Sequence, residues 1–359
     1  MSGPKQAIRY CQATNGMSIA WSSRGSGPAL VLCSMVWNVE REFGPNCAFP
    51  LWAEIAEARR LVMYDGLGSG LSDRSFEDIS IENSVADLAA VVDAAGLEKF
   101  AICSSCMGAQ AAISYAAAHP DRVEKMVLIG GFSRGLMHRQ PTAKQIAQRE
   151  LMLEALEIGW DDPIPAFRLL DQLSAFPQAT LEEQLRMTEM LQSTTSGRNT
   201  VKYFRAQSET DVSSQARHVQ CPTLIAHARE SARIPFDEGC RLAGLIPNAQ
   251  FLPLDGKDTV PTPSNPAFRV VVDATRAFLQ EGDLGSAGNG LGVHLTPREG
   301  EVLELMAQGL DNLQIAAHLG LSEKTVRNHI TPIFDKLSVD NRGRAIVKAR
   351  EAGLGLRRA

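Results

Sequence analysis

The stretch FAICSSCMG, residues 100–108, decides how the chain is read. Phe100-Ala101-Ile102-Cys103 is a short apolar run of strand type, and a helical pattern extends from Ala109 to His119. Strand, tight turn and helix are the setting of a nucleophile elbow, whose pattern is G-x-S-x-G. Here Ser104 stands at the first glycine and Cys106 at the nucleophile. Whether Cys106 attacks anything is the chemical question the sequence poses.

Outward from this stretch, short apolar runs alternate with helical patterns. Leu30–Cys33, Leu61–Tyr64, Met126–Ile129 and Thr223–Ala226 read as buried strands, with a weaker one at Gln250–Leu252. Ser84–Ala95 and Gln110–His119 read as helices between them. This rhythm predicts an α/β fold with a mainly parallel sheet covered on both faces. It breaks between Leu136 and Ala216, where polar helical patterns predict a cap of about 136–216 over the carboxyl ends of the strands. It breaks again at EGDLGSAGNGLG, which predicts a flexible linker over 281–293. Two domains are therefore expected, 1–280 and 294–359.

The 359 residues are 44% hydrophobic and 21% charged, ordinary for a globular chain, and the net charge is −5. That average hides an asymmetry. Residues 294–359 carry ten Lys/Arg and eight Asp/Glu, and nine of those ten cations lie from Glu323 onward. No apolar run reaches membrane-spanning length, and the first residues lack a signal-peptide core, so no membrane partner is expected. The seven cysteines, at 11, 33, 47, 103, 106, 221 and 240, include no C-x-x-C pair. Their odd number and apolar settings point to reduced thiols and a cytoplasmic location. No zinc-ligand spacing occurs, so neither metal nor cofactor is expected.

Residues 15–280 resemble the α/β-hydrolase family. The resemblance rests on YDGLGSGLSDR (64–74), on AAISYAAAHPDRVEKMVLIGGFSRG (111–135) after the elbow, and on CPTLIAHARESARIPFDEG (221–239). It implies an α/β-hydrolase fold, a doubly wound sheet with a helical cap. It also implies a nucleophile, an acid and a histidine in that chain order. At the acid position stands Ser231, with Glu230 one residue off, and at the histidine position stands Thr259. Of the seven histidines, His119, His318, His329 and His294 lie away from the elbow, and His227 reads as structural at a strand end. His138 and His218 flank the cap and are the two that could approach Cys106. The oxyanion-hole amides would be those of Met107 and Val36, but Ser34-Met35 replaces the usual glycine-containing pair.

No catalysis is expected from such a set, and Cys106, Ser231 and Thr259 become positions of a degenerate triad. Met35, Val36, Trp37, Cys106, Met107 and Phe132 sit at strand ends by pattern. Trp160, Phe167 and Phe204 belong to the cap. Together with Ser231 and Thr259 they are the expected lining of a pocket for a small apolar or aromatic effector. Two other readings stay open: a thiol esterase using Cys106, and a redox sensor pairing Cys106 with Cys33, Cys103 or Cys47.

The last segment is LTPREGEVLELMAQGLDNLQIAAHLGLSEKTVRNHITPIFDKLSVDNRGRAIVKAREAGL, residues 295–354. Thr296 to Glu299 forms a capping box with proline at the first helical position. Gly309 ends the first helix, Asp311 or Asn312 begins a second that ends at Gly320, Ser322 caps a third, and Asn341 opens a fourth. Two short helices joined at Gly320-Leu321 make a helix-turn-helix. The segment resembles LuxR-type DNA-binding domains, through LTPRE, Ile315–Leu319 and LSEKTVRNH. The resemblance implies that Arg327, Asn328 and Thr331 face base edges of double-stranded DNA while Lys324, Thr325 and Lys336 face phosphates. It also implies a homodimer on a two-fold operator. Pro332, inside the recognition helix, predicts a kink or an end to base contact near Thr331. The whole chain then reads as a ligand-responsive transcriptional regulator.

Overall fold

The computed structural model describes residues 7–13, 15–33, 38–41, 50–75, 79–280, 295, 297–351 and 354–355. The chain divides into two compact units, residues 1–276 and 277–359. The proposed linker lies outside the described residues.

The first unit is built on an eight-stranded sheet of order β1-β2-β4-β3-β5-β6-β7-β8. The strands are β1 (Ile8–Gln12), β2 (Ser18–Arg24), β3 (Ala29–Cys33), β4 (Arg60–Tyr64), β5 (Phe100–Ser105), β6 (Val123–Ile129), β7 (Thr223–Ala228) and β8 (Ala249–Leu254). From β4 across to β8 neighbouring strands are parallel, whereas β2 runs antiparallel to both β1 and β4. The six runs expected from the sequence are strands. β1 and β2 were not expected: Tyr10 and Gln12 of β1 are exposed, and the apolar run of β2 is only the three residues Ile19–Trp21.

The central strands are buried along most of their length, as helices on both faces require. Val31, Val62, Phe100, Ile102 and Leu128 join Leu88 and Val91 of α2 (Ile81–Ala94) and Ala112 and Ile113 of α3 (Gly108–Ala118) in one core. The short helix α1 (Pro50–Ile55) precedes β4. The loop after β4 is organised by Asp65, whose carboxylate accepts from the N–H groups of Val39 and Leu71, each at 2.8 Å. A Cβ at Gly70 would fall 1.9 Å from that carboxylate, and its φ of +52° also favours glycine, so no larger residue fits there.

Between β6 and β7 lie a 3₁₀ turn at Leu136–Arg139 and the helices α4 (Ala143–Ile158), α5 (Ala166–Ala175), α6 (Leu181–Thr194), α7 (Gly197–Glu209) and the short α8 (Ser213–Ala216). Thr142 and Thr180 begin α4 and α6 with reciprocal capping boxes to Gln145 and Glu183. This helical layer is tied to the loop after β4: Thr195 Oγ1 and Asn199 Nδ2 donate to Gly68 O at 2.8 and 3.2 Å, and Gly70 N donates to Thr194 O at 2.8 Å. Helix α9 (Phe236–Leu245) connects β7 to β8, and α10 (Ala267–Gln280) comes after the sheet.

The second unit holds α11 (Pro297–Ala307), α12 (Asn312–Leu319), α13 (Glu323–Leu337) and α14 (Arg342–Glu351). Its core is separate and includes Val302, Met306, Ile315, Val326, Ile333 and Ala345. Asp311 opens α12 with a capping box, Gly320 closes it at φ +64°, and Ser322 caps α13. Helix α13 runs through Pro332 to Leu337 without ending.

Candidate functional site

Strand β5 delivers the chain to Cys106, and α3 leaves from Gly108. Cys106 has φ +46°, a conformation costly for a side chain with a Cβ and typical of functional turns. The turn is held by Cys106 N donating to Ile129 O at 3.0 Å. Gly108 lets it pack tightly, since a Cβ there would meet Cys33 O at 2.4 Å. Ser104, at the elbow's first glycine position, turns its hydroxyl inward and donates to Cys33 O at 2.7 Å. The elbow geometry is intact although Ser104 and Cys106 depart from its residue pattern.

Cys106 stands on the wall between two cavities beneath the helical layer. The first, of about 130 Å³, is mainly apolar, with Trp52, Leu156, Trp160, Phe176, Met190 and Leu191 among its lining. The second, of about 340 Å³, is lined by Phe132, Arg139, Arg149, Met152, Gln207 and Ile234, among others. Cys106, Met107, Asp171, Phe204 and Arg233 line both.

Of the residues singled out from sequence, Cys106, Met107, Trp160, Phe204 and Thr259 line the first cavity and Phe132 the second. Met35, Val36 and Trp37 lie outside the described residues, as does Cys47. Two expectations are corrected. Phe167 lines neither cavity: its ring covers Gly159, where a Cβ would meet Phe167 Cδ2 at 2.0 Å, and it is 37% exposed. Ser231 is buried away from both cavities, its Oγ accepting from Ile234 N at 3.4 Å. Trp52, Arg149, Asp171, Phe176 and Arg233 were missed, because the helical layer brings together positions that no local pattern connects.

Thr259 faces the first cavity from the loop after β8. Its N–H donates to Ala175 O at 2.8 Å, and its buried Oγ1 has no partner. Glu230 points to Lys257, 3.8 Å away, on an exposed surface. Neither His138 nor His218 reaches the elbow. Both are exposed, with His138 Nε2 2.7 Å from Glu209 O and His218 Nδ1 2.9 Å from Ser214 O. His227 is buried, with Nε2 3.0 Å from Ile234 O, and burial pushes its pKa down. Among the described residues no histidine lines either cavity.

Burial pushes the Cys106 thiol above its ordinary pKa. Arg233, the Met107 N–H and Arg149 pull it down, and Asp171 adds to the rise. Cys33 and Cys103 are pushed up to about 11 and about 12 by the same desolvation. At neutral pH a thiol of this kind is not a ready nucleophile. Among the described residues no three His, Cys, Asp or Glu side chains gather as a metal site.

In the second unit, Lys324, Arg327, Asn328 and Thr331 are all exposed on α13, at spacings of three and four, so they share one face. Thr325 is half-buried at the helix start, its Oγ1 2.8 Å from Ser322 Oγ. Arg327 pairs with Glu323 one turn earlier. Lys336 Nζ lies 2.6 Å from the buried Glu299 carboxylate on α11, so it joins two helices as well as being partly exposed. Among the described residues no helix is long and apolar enough to cross a membrane.

Comparison with known proteins adds to this picture. Residues 32–258 match the family described as alpha/beta hydrolase fold, and residues 293–349 match bacterial regulatory proteins of the luxR family. The chain is 30% identical over 254 residues to the 2-hydroxy-6-oxononadienedioate/2-hydroxy-6-oxononatrienedioate hydrolase 2 of Pseudomonas putida, covering 67% of this chain and 81% of that one. It is 43% identical over 89 residues to the transcriptional regulatory protein DesR of Bacillus subtilis, covering 24% of this chain and 43% of DesR. A bromoperoxidase structure from Bacillus anthracis superposes with a TM-score of 0.63 at 19% identity, over 76% of this chain and all of that one, a likeness of fold alone.

Proposed function

Since this chain belongs to the α/β-hydrolase fold family and carries a LuxR-family DNA-binding domain, we propose that it is a transcriptional regulator whose hydrolase-fold domain binds a small effector without hydrolysing it. The observation that carries this reading is the state of the elbow. The turn and the cavities around Cys106 are present, the resemblance puts Ser231 and Thr259 at the acid and histidine positions, and burial raises the Cys106 thiol. A Ser–His–acid device works because the histidine takes the nucleophile's proton, and among the described residues no histidine stands beside Cys106 to take it.

A binding role has its own support. The first cavity is lined by three residues with buried polar atoms that lack partners, Thr259 Oγ1, Gln172 Oε1 and Arg168 Nε. Such atoms are rare unless water or a ligand completes them. Most of the remaining wall is apolar and aromatic, with Asp171 and Arg233 at the side shared with the second cavity, which suits a small body that is largely apolar or aromatic. The effector then biases DNA binding by the second unit, acting as a homodimer on a two-fold operator. A redox sensor has less support, because Cys33 and Cys103 are fully buried with strongly raised thiols.

The test is native mass spectrometry of the purified chain beside an esterase assay. A retained small molecule is expected, lost in Cys106→Trp. Turnover of p-nitrophenyl butyrate above about one per second, abolished by Cys106→Ala, would instead place the protein among ordinary enzymes.

A further inference from the structure

The second cavity carries more positive than negative charge. Arg139, Arg149 and Arg233 line it, against one carboxylate, Asp171. Arg233 is already paired: it bonds Asp171 and donates to Ser174 Oγ at 2.7 Å. Arg139 donates to Arg134 O at 2.8 Å and approaches Glu238 only at 3.9 Å, because Arg134 takes that carboxylate at 2.8 Å. Among the described residues Arg149 has no carboxylate within ion-pair distance. One of its terminal nitrogens donates to Phe204 O at 3.3 Å, and its buried Nε–H has no acceptor.

Such an arrangement is unfavourable on its own. Arg149 and Arg233 both lie over the Phe204 ring, 4.6 and 5.7 Å from its centroid, and two cations on one ring repel each other. Burial and the neighbouring Arg233 depress the Arg149 pKa to about 10. An uncompensated charge in a low-dielectric site is costly, and a bound anion removes that cost. The guanidinium fork suits a planar carboxylate, which it grips through two parallel hydrogen bonds. The apolar cavity begins on the other side of Cys106, Phe204 and Arg233.

We propose that the effector is an amphipathic carboxylic acid, its carboxylate held by Arg149 with Arg139 and Arg233, and its apolar or aromatic body lying in the cavity lined by Leu156, Trp160 and Met190. This rests on the effector-binding reading above and adds the charge that the effector must carry. Arg168, which also lines the apolar cavity, is not part of the anion site. Its terminal nitrogens are taken by the carbonyl oxygens of Gly159 and Asp162 at 3.2 and 3.1 Å, which leaves only its buried Nε without a partner and no terminal fork for a carboxylate.

The test uses the full chain and matched pairs that differ only in charge: 3-phenylpropanoate with 3-phenylpropanamide, and octanoate with octanamide. Binding is followed by tryptophan fluorescence, since Trp52 and Trp160 line the cavity. In at least one pair the acid is expected to bind tenfold or more tightly than the amide. Arg149→Met should reduce that ratio below about threefold, and Arg149→Lys should restore part of it. Arg139→Gln is the second variant, expected to lower the ratio in a site left folded by Arg149. Equal binding of acids and amides would overturn the carboxylate while leaving a neutral effector in the cavity. An acid preference that survives both neutral variants would overturn the arginine site. Failure of every acid to bind at 10 mM would also overturn it.

Discussion

Lys336 Nζ lies 2.6 Å from the Glu299 carboxylate, and the Glu299 side chain is only 7% exposed. The pair joins α13 to α11, so it fixes the recognition helix in its own unit. Removing Lys336 takes an ion-pair partner away from a buried carboxylate, which is costly. Lys336 itself is about a third exposed, which screens part of the loss. Lys336→Ala is therefore expected to destabilise the DNA-binding unit by about 1–3 kcal/mol. Its calorimetric transition should move down while that of the hydrolase-fold unit stays. Lys336→Arg should recover most of the shift. An unchanged transition would return Lys336 to the surface cations.

The exposed residues of α13 are the ones proposed to read DNA. Arg327 must leave Glu323 to reach a base, and an exposed helical pair of this spacing is worth only about 0.3–0.5 kcal/mol. Arg327→Ala should cost about 1–3 kcal/mol at one base position and relax specificity there. Lys324→Ala should weaken all duplexes alike and lower the salt slope by about one. Binding titrations over a panel of single-base variants at several salt concentrations separate the two. A uniform loss for Arg327→Ala would assign it to the phosphates.

Cysteine chemistry offers a direct reading of the elbow. The Cys106 thiol is raised, so its thiolate fraction at neutral pH is small and grows about tenfold per pH unit. Alkylation by iodoacetamide should climb past pH 9 without a plateau below it, and the exposed Cys240 should react first. Arg233→Met removes the strongest of the influences that lower the thiol, and should slow Cys106 further. A plateau near pH 7 would mark an activated nucleophile and revive the thiol esterase.

Much of this is legible in the sequence alone. The elbow, the strand ends and the helix caps are local patterns, and Ser322, Gly320 and Asp311 behave as their residue types dictate. The edge was less legible, because β1 and β2 form an antiparallel pair whose outer strand is partly exposed and carries no apolar run. The pocket was the least legible part. Arg149 and Arg233 are 84 positions apart in the chain and meet at Phe204 only because α4 and α7 fold over the sheet. Phe167 failed as a lining residue for the converse reason: helical periodicity names a face, but Gly159 decides which way the ring lies.

Burial also sets a pH dependence. Asp65 and Asp87 are pushed up to about 7, chiefly by desolvation, above the unfolded value near 3.9. The folded state then holds protons that the unfolded state has lost, so the contribution of these two carboxyls to stability falls as pH rises from about 4 to about 7 and is flat beyond. Asp87 is the clearer case, since one of its oxygens has no partner and the other accepts from Leu67 N at 3.5 Å. Asp87→Asn should flatten that fall without lowering stability at pH 8. A urea midpoint for the variant that still drops between pH 5 and 7 by the full original amount would assign the dependence elsewhere.

The sequence between the two units, EGDLGSAGNGLG, has five glycines in twelve residues. Under the proposed regulator reading, the effector is expected to act by changing which surfaces pair. The helices α4 to α7 are the part able to respond, because they roof both cavities and hang on the loop after β4 through Thr195 and Asn199. A ligand shifts such an equilibrium only by its differential affinity for the two states. The effector should thus change operator affinity by about 1–3 kcal/mol, the usual size of a coupling free energy. Cys106→Trp fills the wall shared by the cavities. It should abolish the response and leave effector-independent recognition of the operator in place, as measured by operator titration with and without the acid that binds best. A normal response in that variant would move the sensing site out of the hydrolase-fold pocket.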